Sequence, residues 1–263
     1  MRQEGHGRVV WLRTGLTVPY VERGDPSGLP VVLLHAWGES LGSFDRLMPA
    51  LPESIRALAP DQRGHGGADK PPYGYDLSDY AGDVEAFLDE VGVASAVLVG
   101  SSSGGYVAQQ VAVSCPHRVS GLVLVGTPRS LRERPPFADD VDKLTDPVDR
   151  AWVKASLEWF PRHHDVPEWY LDDRVDDGVR MPAHVWRKAL DGLCTAAPPS
   201  EAGTIAAPTL IIWGGRDELL PRAEQEALAA AIPGSRLVVY EDTGHLVLWE
   251  QPDRVAQDIA GFL

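Results

Sequence analysis

The sequence predicts an α/β protein, a mostly parallel sheet covered on both faces by helices and interrupted once by a helical insertion. Two observations lead there. Short apolar runs at residues 31–35, 55–59, 96–99, 121–125, 209–213 and 235–240 recur along the chain, and segments of helical period, such as 80–91 and 222–232, lie between them. Alternation of this kind implies strands buried on both faces by crossover helices. The run at Ala96 also breaks directly into Gly100-Ser101-Ser102-Ser103-Gly104-Gly105 and then into helix-forming sequence, a tight strand-to-helix turn.

Taken in order, residues 9–12 and 16–21 read as two short strands around Thr14-Gly15, and the turn-rich Arg23-Gly24-Asp25-Pro26-Ser27-Gly28 leads into 31–35. An antiparallel hairpin entering the sheet accounts for that start. Alternation then continues to about Pro128 and resumes at Pro208. Between them stand prolines, charges and the aromatics Phe137, Trp152, Trp159, Phe160, Trp169, Tyr170 and Trp186, with helical-looking stretches at 148–160, 166–171 and 182–193. The expected organisation is therefore a core of residues 1–127 and 208–263 carrying a helical cap of residues 128–207 over the strand ends, where ligands of such sheets bind.

G-x-S-x-G at a strand-to-helix turn is the pattern of a nucleophile elbow, in which a strained backbone pushes the serine outward and glycines stand where a Cβ would collide. The pattern occurs twice, at Ser102 and in Gly38-Glu39-Ser40-Leu41-Gly42. Around Ser102 the glycine follows the strand directly, and Gly105, Ala108 and Ala112 keep the next helix slim. Before Ser40, His35-Ala36-Trp37 intervenes, so Ser40 reads as a loop hydroxyl or helix N-cap.

A serine hydroxyl needs a base, and the base a carboxylate to orient it. Of eight histidines, His245 in Glu241-Asp242-Thr243-Gly244-His245 follows the last expected strand on a loop. His6 and His117 read as solvated or capping, His163 and His164 as exposed cap residues, and His35 and His65 as loop stabilisers. Asp217 stands just beyond the strand 209–213. The alternative place for the acid, after the preceding strand, holds Gly126-Thr127-Pro128 and no carboxylate, while Glu218 and Asp242 neighbour the chosen residues. The chain order is Ser102, Asp217, His245.

In these segments, with Asp61-Gln62-Arg63-Gly64-His65-Gly66, Trp213-Gly214-Gly215-Arg216-Asp217 and Gly244-His245 in order, the chain resembles the α/β-hydrolase fold superfamily over nearly its whole length. The resemblance implies an α/β-hydrolase fold and a serine esterase or lactonase. It also implies that His35-Ala36-Trp37 places the Trp37 backbone N–H, with that of Ser103, as an oxyanion hole, a role that needs direction and not a side chain. The elbow is similar to that of fungal-type resorcylic lactone hydrolases, although Gly126 departs from their acid position.

Composition excludes other classes. Net charge is −14, which repels nucleic acid, anionic membranes and polyanionic substrates. The start lacks the apolar core of a signal peptide, and no run of about 18 apolar residues follows, so a cytoplasmic location is expected. Cys115 and Cys194 form no metal-ligand or redox motif and read as reduced and structural. The sequence contains no P-loop, dinucleotide fingerprint or metal cluster, and no cofactor or metal is expected. The expected partner is a small neutral ester or lactone bound among cap aromatics, Trp186 first and Trp159 and Trp152 beside it. Carbon–carbon bond hydrolysis and perhydrolysis use the same triad, and a ligand-binding receptor without turnover is the alternative from another class. Oligomeric state is not encoded in these patterns.

Overall fold

Residues 7–132 and 134–263 are described by the structure, a computed structural model; His6 and the chain start lie outside them. The chain opens with the hairpin β1 (Arg8–Trp11) and β2 (Thr17–Gly24), followed by β3 (Leu29–Leu34), β4 (Ile55–Pro60), α1 (Leu77–Glu90), β5 (Ala96–Ser101), α2 (Ser103–Ser114) and β6 (Val119–Val125). Five helices come next: α3 (Ala138–Asp142), α4 (Arg150–Ser156), α5 (Glu168–Arg180), α6 (Ala183–Thr195) and α7 (Pro199–Ala202). The sheet resumes with β7 (Thr209–Gly214), α8 (Arg222–Ala231) and β8 (Arg236–Tyr240), before α9 (Val247–Glu250) and α10 (Pro252–Phe262).

These form an eight-stranded sheet in the order β1-β2-β4-β3-β5-β6-β7-β8. Pairing is antiparallel through β1, β2 and β4 and parallel from β4 onward. The apolar runs suit central strands because both faces are covered. Val32, Leu34, Leu98, Leu122 and Leu124 pack toward Phe87 of α1, Val107 and Val111 of α2 and Leu228 of α8. The alternate residues Val31, Leu33, Val97, Val99, Val123 and Val125 pack toward Phe44, Leu47 and, from α10, Val255 and Ile259. Period-two alternation thus divides one strand set between two cores. At the edge, Val9 and Trp11 of β1 are exposed.

β2 runs three residues past the expected Val21, because Glu22, Arg23 and Gly24 continue the antiparallel ladder to Leu58, Ala57 and Arg56. Larger departures lie between β6 and β7. The stretch expected as one helix over 148–160 is α4 followed by a 3-10 turn over Leu157–Trp159. The stretch expected to end at Leu171 is instead α5, which continues to Arg180. Its continuation, Asp172-Asp173-Arg174-Val175-Asp176-Asp177, is nearly all charged, yet Arg174 and Asp177 are buried and ion-paired at 2.9 Å. Charge hid an inward face. No described helix is long and apolar enough to cross a membrane.

Candidate active site

Ser102 joins β5 to α2 with φ 47° and ψ −118°, and is the one non-glycine with positive φ among the described residues. An L-residue adopts that conformation only under constraint. The constraint is the crossing of two backbones. A Cβ on Gly100 would lie 2.3 Å from Gly105 Cα, and one on Gly104 would lie 2.2 Å from the Leu34 carbonyl oxygen. Ser102 N–H donates to Val125 O at 2.8 Å, fixing the turn to the neighbouring strand end.

The partners arrive on the loops after β7 and β8, which touch because neither carries a side chain at the contact: a Cβ on Gly214 would sit 2.0 Å from Gly244 O. Gly215 N–H donates to Tyr240 O at 2.8 Å and Arg216 N–H to Thr243 O at 2.9 Å. In the resulting row, Ser102 Oγ lies 3.1 Å from His245 Nε2, and His245 Nδ1 lies 2.8 Å from Asp217 Oδ2. The other Asp217 oxygen accepts the N–H groups of Leu219 and Leu220, each at 2.9 Å. With Nδ1–H bound by the carboxylate, Nε2 is left with its lone pair toward the serine. Phe160 packs on the imidazole with centroids 5.0 Å apart.

The two expected competitors for the acid sit elsewhere. Asp242 faces His164 and Arg254, and Glu218 is exposed. Gly126 does lie where an acid would reach the base, its virtual Cβ 4.0 Å from His245 Nδ1, but it has no carboxylate to offer. Ser40 caps the 3-10 turn Leu41–Phe44, accepting from Gly42 N–H at 3.2 Å with an extended backbone. His35 Nδ1 contacts Ala36 O at 2.8 Å while Nε2 accepts from Gln62 N–H at 2.9 Å, and His65 Nδ1 contacts Arg63 O at 2.8 Å. Burial holds both imidazoles down, His65 to about 4. His163 and His164 donate backbone N–H groups to Glu250 Oε2 at 2.7 and 2.8 Å.

A cavity opens over Ser102 and His245, walled by Phe137, Trp159, Phe160, Trp186, Leu190 and Leu193. Trp186 is buried, its ring edge-on to Trp37 at 4.6 Å and to Trp152 at 5.3 Å, with Nε1 donating to Gly178 O at 3.1 Å. Packing and lining coincide in this one ring. Trp159 stacks on Phe137 at 4.4 Å. Trp152, expected in the pocket, lies behind Trp159 and Trp186 and borders a separate surface hollow with Asp140 and Lys143.

Sequence reasoning missed the polar end of this cavity. Glu39 and Arg174 line it. Glu39 accepts from Trp249 Nε1 at 3.1 Å and from the Ser43 hydroxyl, and burial pushes its carboxyl up against the opposing pull of Arg174. Arg174 lies over the Tyr170 ring, 4.7 Å from its centroid. Its Nε and Nη1 are buried without a hydrogen-bond partner. The loop before Ser40 is tied to the elbow by Trp37 N–H, which donates to Ser103 Oγ at 2.7 Å. Among the described residues no three His, Cys, Asp or Glu side chains form a metal-binding group.

Residues 30–252 match the model of the alpha/beta hydrolase fold family. The chain belongs to that family. Among curated relatives, this hydrolase is 30% identical to a non-heme chloroperoxidase of Streptomyces lividans, over 95% of this chain and 96% of that protein. It is 29% identical to the dihydrolipoyllysine-residue acetyltransferase component of the acetoin cleaving system of Cupriavidus necator, over 90% of this chain but 64% of that longer protein. Among solved structures, an esterase from Exiguobacterium antarcticum superimposes with a TM-score of 0.85 at 24% identity, covering 97% of this chain and 98% of the other. At that identity the likeness is one of fold.

Proposed function

We propose that this α/β hydrolase cleaves neutral carboxylic esters or lactones through an acyl-enzyme on Ser102. The observation that carries the reading is the row Ser102 Oγ, His245 Nε2, His245 Nδ1, Asp217 Oδ2, with spacings of 3.1 and 2.8 Å, reached by a serine in a strained elbow. His245 takes the Ser102 proton as Oγ attacks the carbonyl carbon, and the imidazolium is stabilised by Asp217. Collapse of the tetrahedral adduct returns the proton to the leaving alcohol, and water, deprotonated by His245 in turn, releases the acid. Aromatic and leucine walls favour an apolar acyl or alcohol group, with Trp186 and Trp159 as its contacts.

A panel of aryl acetates, small lactones and macrolactones tests the reading, with fluorophosphonate labelling read by mass spectrometry. Acid release and an adduct on Ser102 are expected. A labelled protein that releases no acid from any activated ester would support a receptor instead, and an adduct elsewhere would remove the assignment. The similarity to a chloroperoxidase favours a second nucleophile in the same step: hydrogen peroxide in place of water would turn the acyl-enzyme into a peracid, detected by halide oxidation in the presence of acetate.

A further inference from the structure

We infer that the Ser103 side-chain hydroxyl is itself a donor to the oxyanion, held in place by the Trp37 N–H; the inference rests on the esterase reading of the Ser102 site. An oxyanion hole built from two backbone groups requires the Trp37 hydrogen to be free to meet the developing charge. It is not free. That N–H donates at 2.7 Å to Ser103 Oγ, and one hydrogen directed along that line does not also serve a substrate oxygen. The Ser103 N–H differs: Ser103 is the first residue of α2, so its N–H has no intrahelical acceptor and lies at the positive end of the helix.

The hydroxyl compensates for the engaged N–H. In accepting from Trp37 it uses one oxygen lone pair and keeps its own hydrogen, which is available to donate. Ser103 borders the same cavity as Ser102 and His245 and is 8% exposed, so that donor acts where water is largely excluded. A hydroxyl that accepts a hydrogen bond is polarised into a stronger donor. The chain of donation then runs Trp37 N–H to Ser103 Oγ, and Ser103 O–H to the oxyanion, with Ser103 N–H as the second direct contact.

In the step itself, the bond from Ser102 Oγ to the carbonyl carbon forms, the Oγ proton passes to His245 Nε2, and the carbonyl π pair moves onto oxygen, which becomes the acceptor of both Ser103 groups. On collapse that pair returns, the bond to the leaving oxygen breaks, and His245 gives the proton to the departing alcohol. The competing account of the same geometry is that Ser103 Oγ is a plug, filling the place of the oxyanion at rest and swinging away when substrate arrives. The two accounts differ in sign. A donor is lost on truncation, whereas a plug is removed.

The test is Ser103→Ala, with Ser103→Cys as a variant that keeps an acceptor for Trp37 but donates weakly. On an aryl ester that the wild type hydrolyses, Ser103→Ala is expected to lower kcat about 10²-fold, the scale of deleting one oxyanion donor, with KM within about twofold, and Ser103→Cys to fall between. Affinity for a trifluoromethyl ketone, which adds to Ser102 and places an oxyanion in the hole, should drop with kcat. Affinity for the matching methyl ketone should stay. Unchanged or raised kcat in Ser103→Ala would overturn the proposal in favour of the plug. Parallel loss of affinity for both ketones would overturn it in favour of a packing role. If Ser103→Ala does not fold, Ser103→Cys with wild-type kcat and ketone affinities overturns it. Failure of the esterase reading is separately visible, as absence of turnover and of a Ser102 adduct in the wild type.

Discussion

Two segments of this chain carry the same five-residue pattern and stand in different surroundings. Around Ser102, the glycines are demanded by backbone: the virtual Cβ atoms of Gly100 and Gly104 strike Gly105 and Leu34 main-chain atoms at 2.3 and 2.2 Å. Around Ser40, they face side chains from the helices between β6 and β7, and Gly38 also sits at φ 81°, where a side chain is strained. A Cβ on Gly38 would meet the Trp186 ring at 2.8 Å, and one on Gly42 the Arg174 Nη2 at 2.7 Å. Ser40 accepts from the Gly42 N–H and has an extended backbone; Ser102 meets an imidazole and sits at positive φ. Glycine spacing alone therefore reports close approach and does not tell the two serines apart.

The largest expected effect separates the two serines directly. Ser102→Ala should lower kcat on the order of 10⁶-fold, as loss of the nucleophile does in a serine protease, and abolish fluorophosphonate labelling. Ser40→Ala should keep turnover and lose about 1 kcal/mol of stability with its cap. An adduct mapped to Ser40 would dissolve the contrast.

Next comes the carboxylate that makes an imidazole useful to one serine only. Asp217→Asn should fold and lose about 10⁴-fold in kcat, the cost of losing the group that fixes the histidine tautomer in a serine protease, while Asp242→Asn and Glu218→Gln stay near wild type. Steady-state kinetics with circular dichroism decides it, and loss in Asp242→Asn instead would move the role there.

The glycines give a smaller effect, measured as stability. Gly104→Ala forces a Cβ into Leu34 backbone and is expected to cost at least about 3 kcal/mol or prevent soluble folding. Gly42→Ala meets the end of a side chain and should cost less. Equal shifts in Tm would show that the two patterns are strained alike.

The smallest effect concerns pH and the histidines beneath the Ser40 loop. Burial holds His65 down from 6.5 to about 4, so the unfolded chain takes up a proton there that the folded one refuses. Stability is therefore present above 6.5 and lost as pH falls toward 4, at about 1.4 kcal/mol per pH unit for one proton. Asp61, pushed by burial from 3.8 up to about 6, runs oppositely: its folded form keeps the proton, and its contribution is lost as pH rises through 6. Comparing wild type with His65→Asn cancels the Asp61 term. Urea midpoints between pH 7 and 5 should fall less steeply in the variant, and equal slopes would mean His65 titrates freely.

The sheet was legible because its central strands are buried on both faces, and burial writes itself as uninterrupted Val, Ile and Leu. Ser102 and Asp217 were readable as candidates because each follows such a strand, and His245 because it follows the apolar run of the edge strand β8, whose residues are only partly buried. Ser40 was separable from Ser102 by the three residues His35-Ala36-Trp37 standing before its glycine. By itself, then, the sequence determined the sheet, the order of the three residues and the identity of the loops that bear them. Tertiary structure decided what depends on contacts between distant segments. It continued α5 past Leu171, because Arg174 and Asp177 neutralise one another inside while a linear reading sees only charge. It placed Trp152 behind Trp186 and Trp159, because helix orientation is set by packing and not by the spacing of tryptophans. It turned the Trp37 N–H onto Ser103 Oγ across 66 positions of chain, and a hydrogen bond of that span leaves no periodic trace in sequence, since each partner is an ordinary residue until the fold brings the other to it.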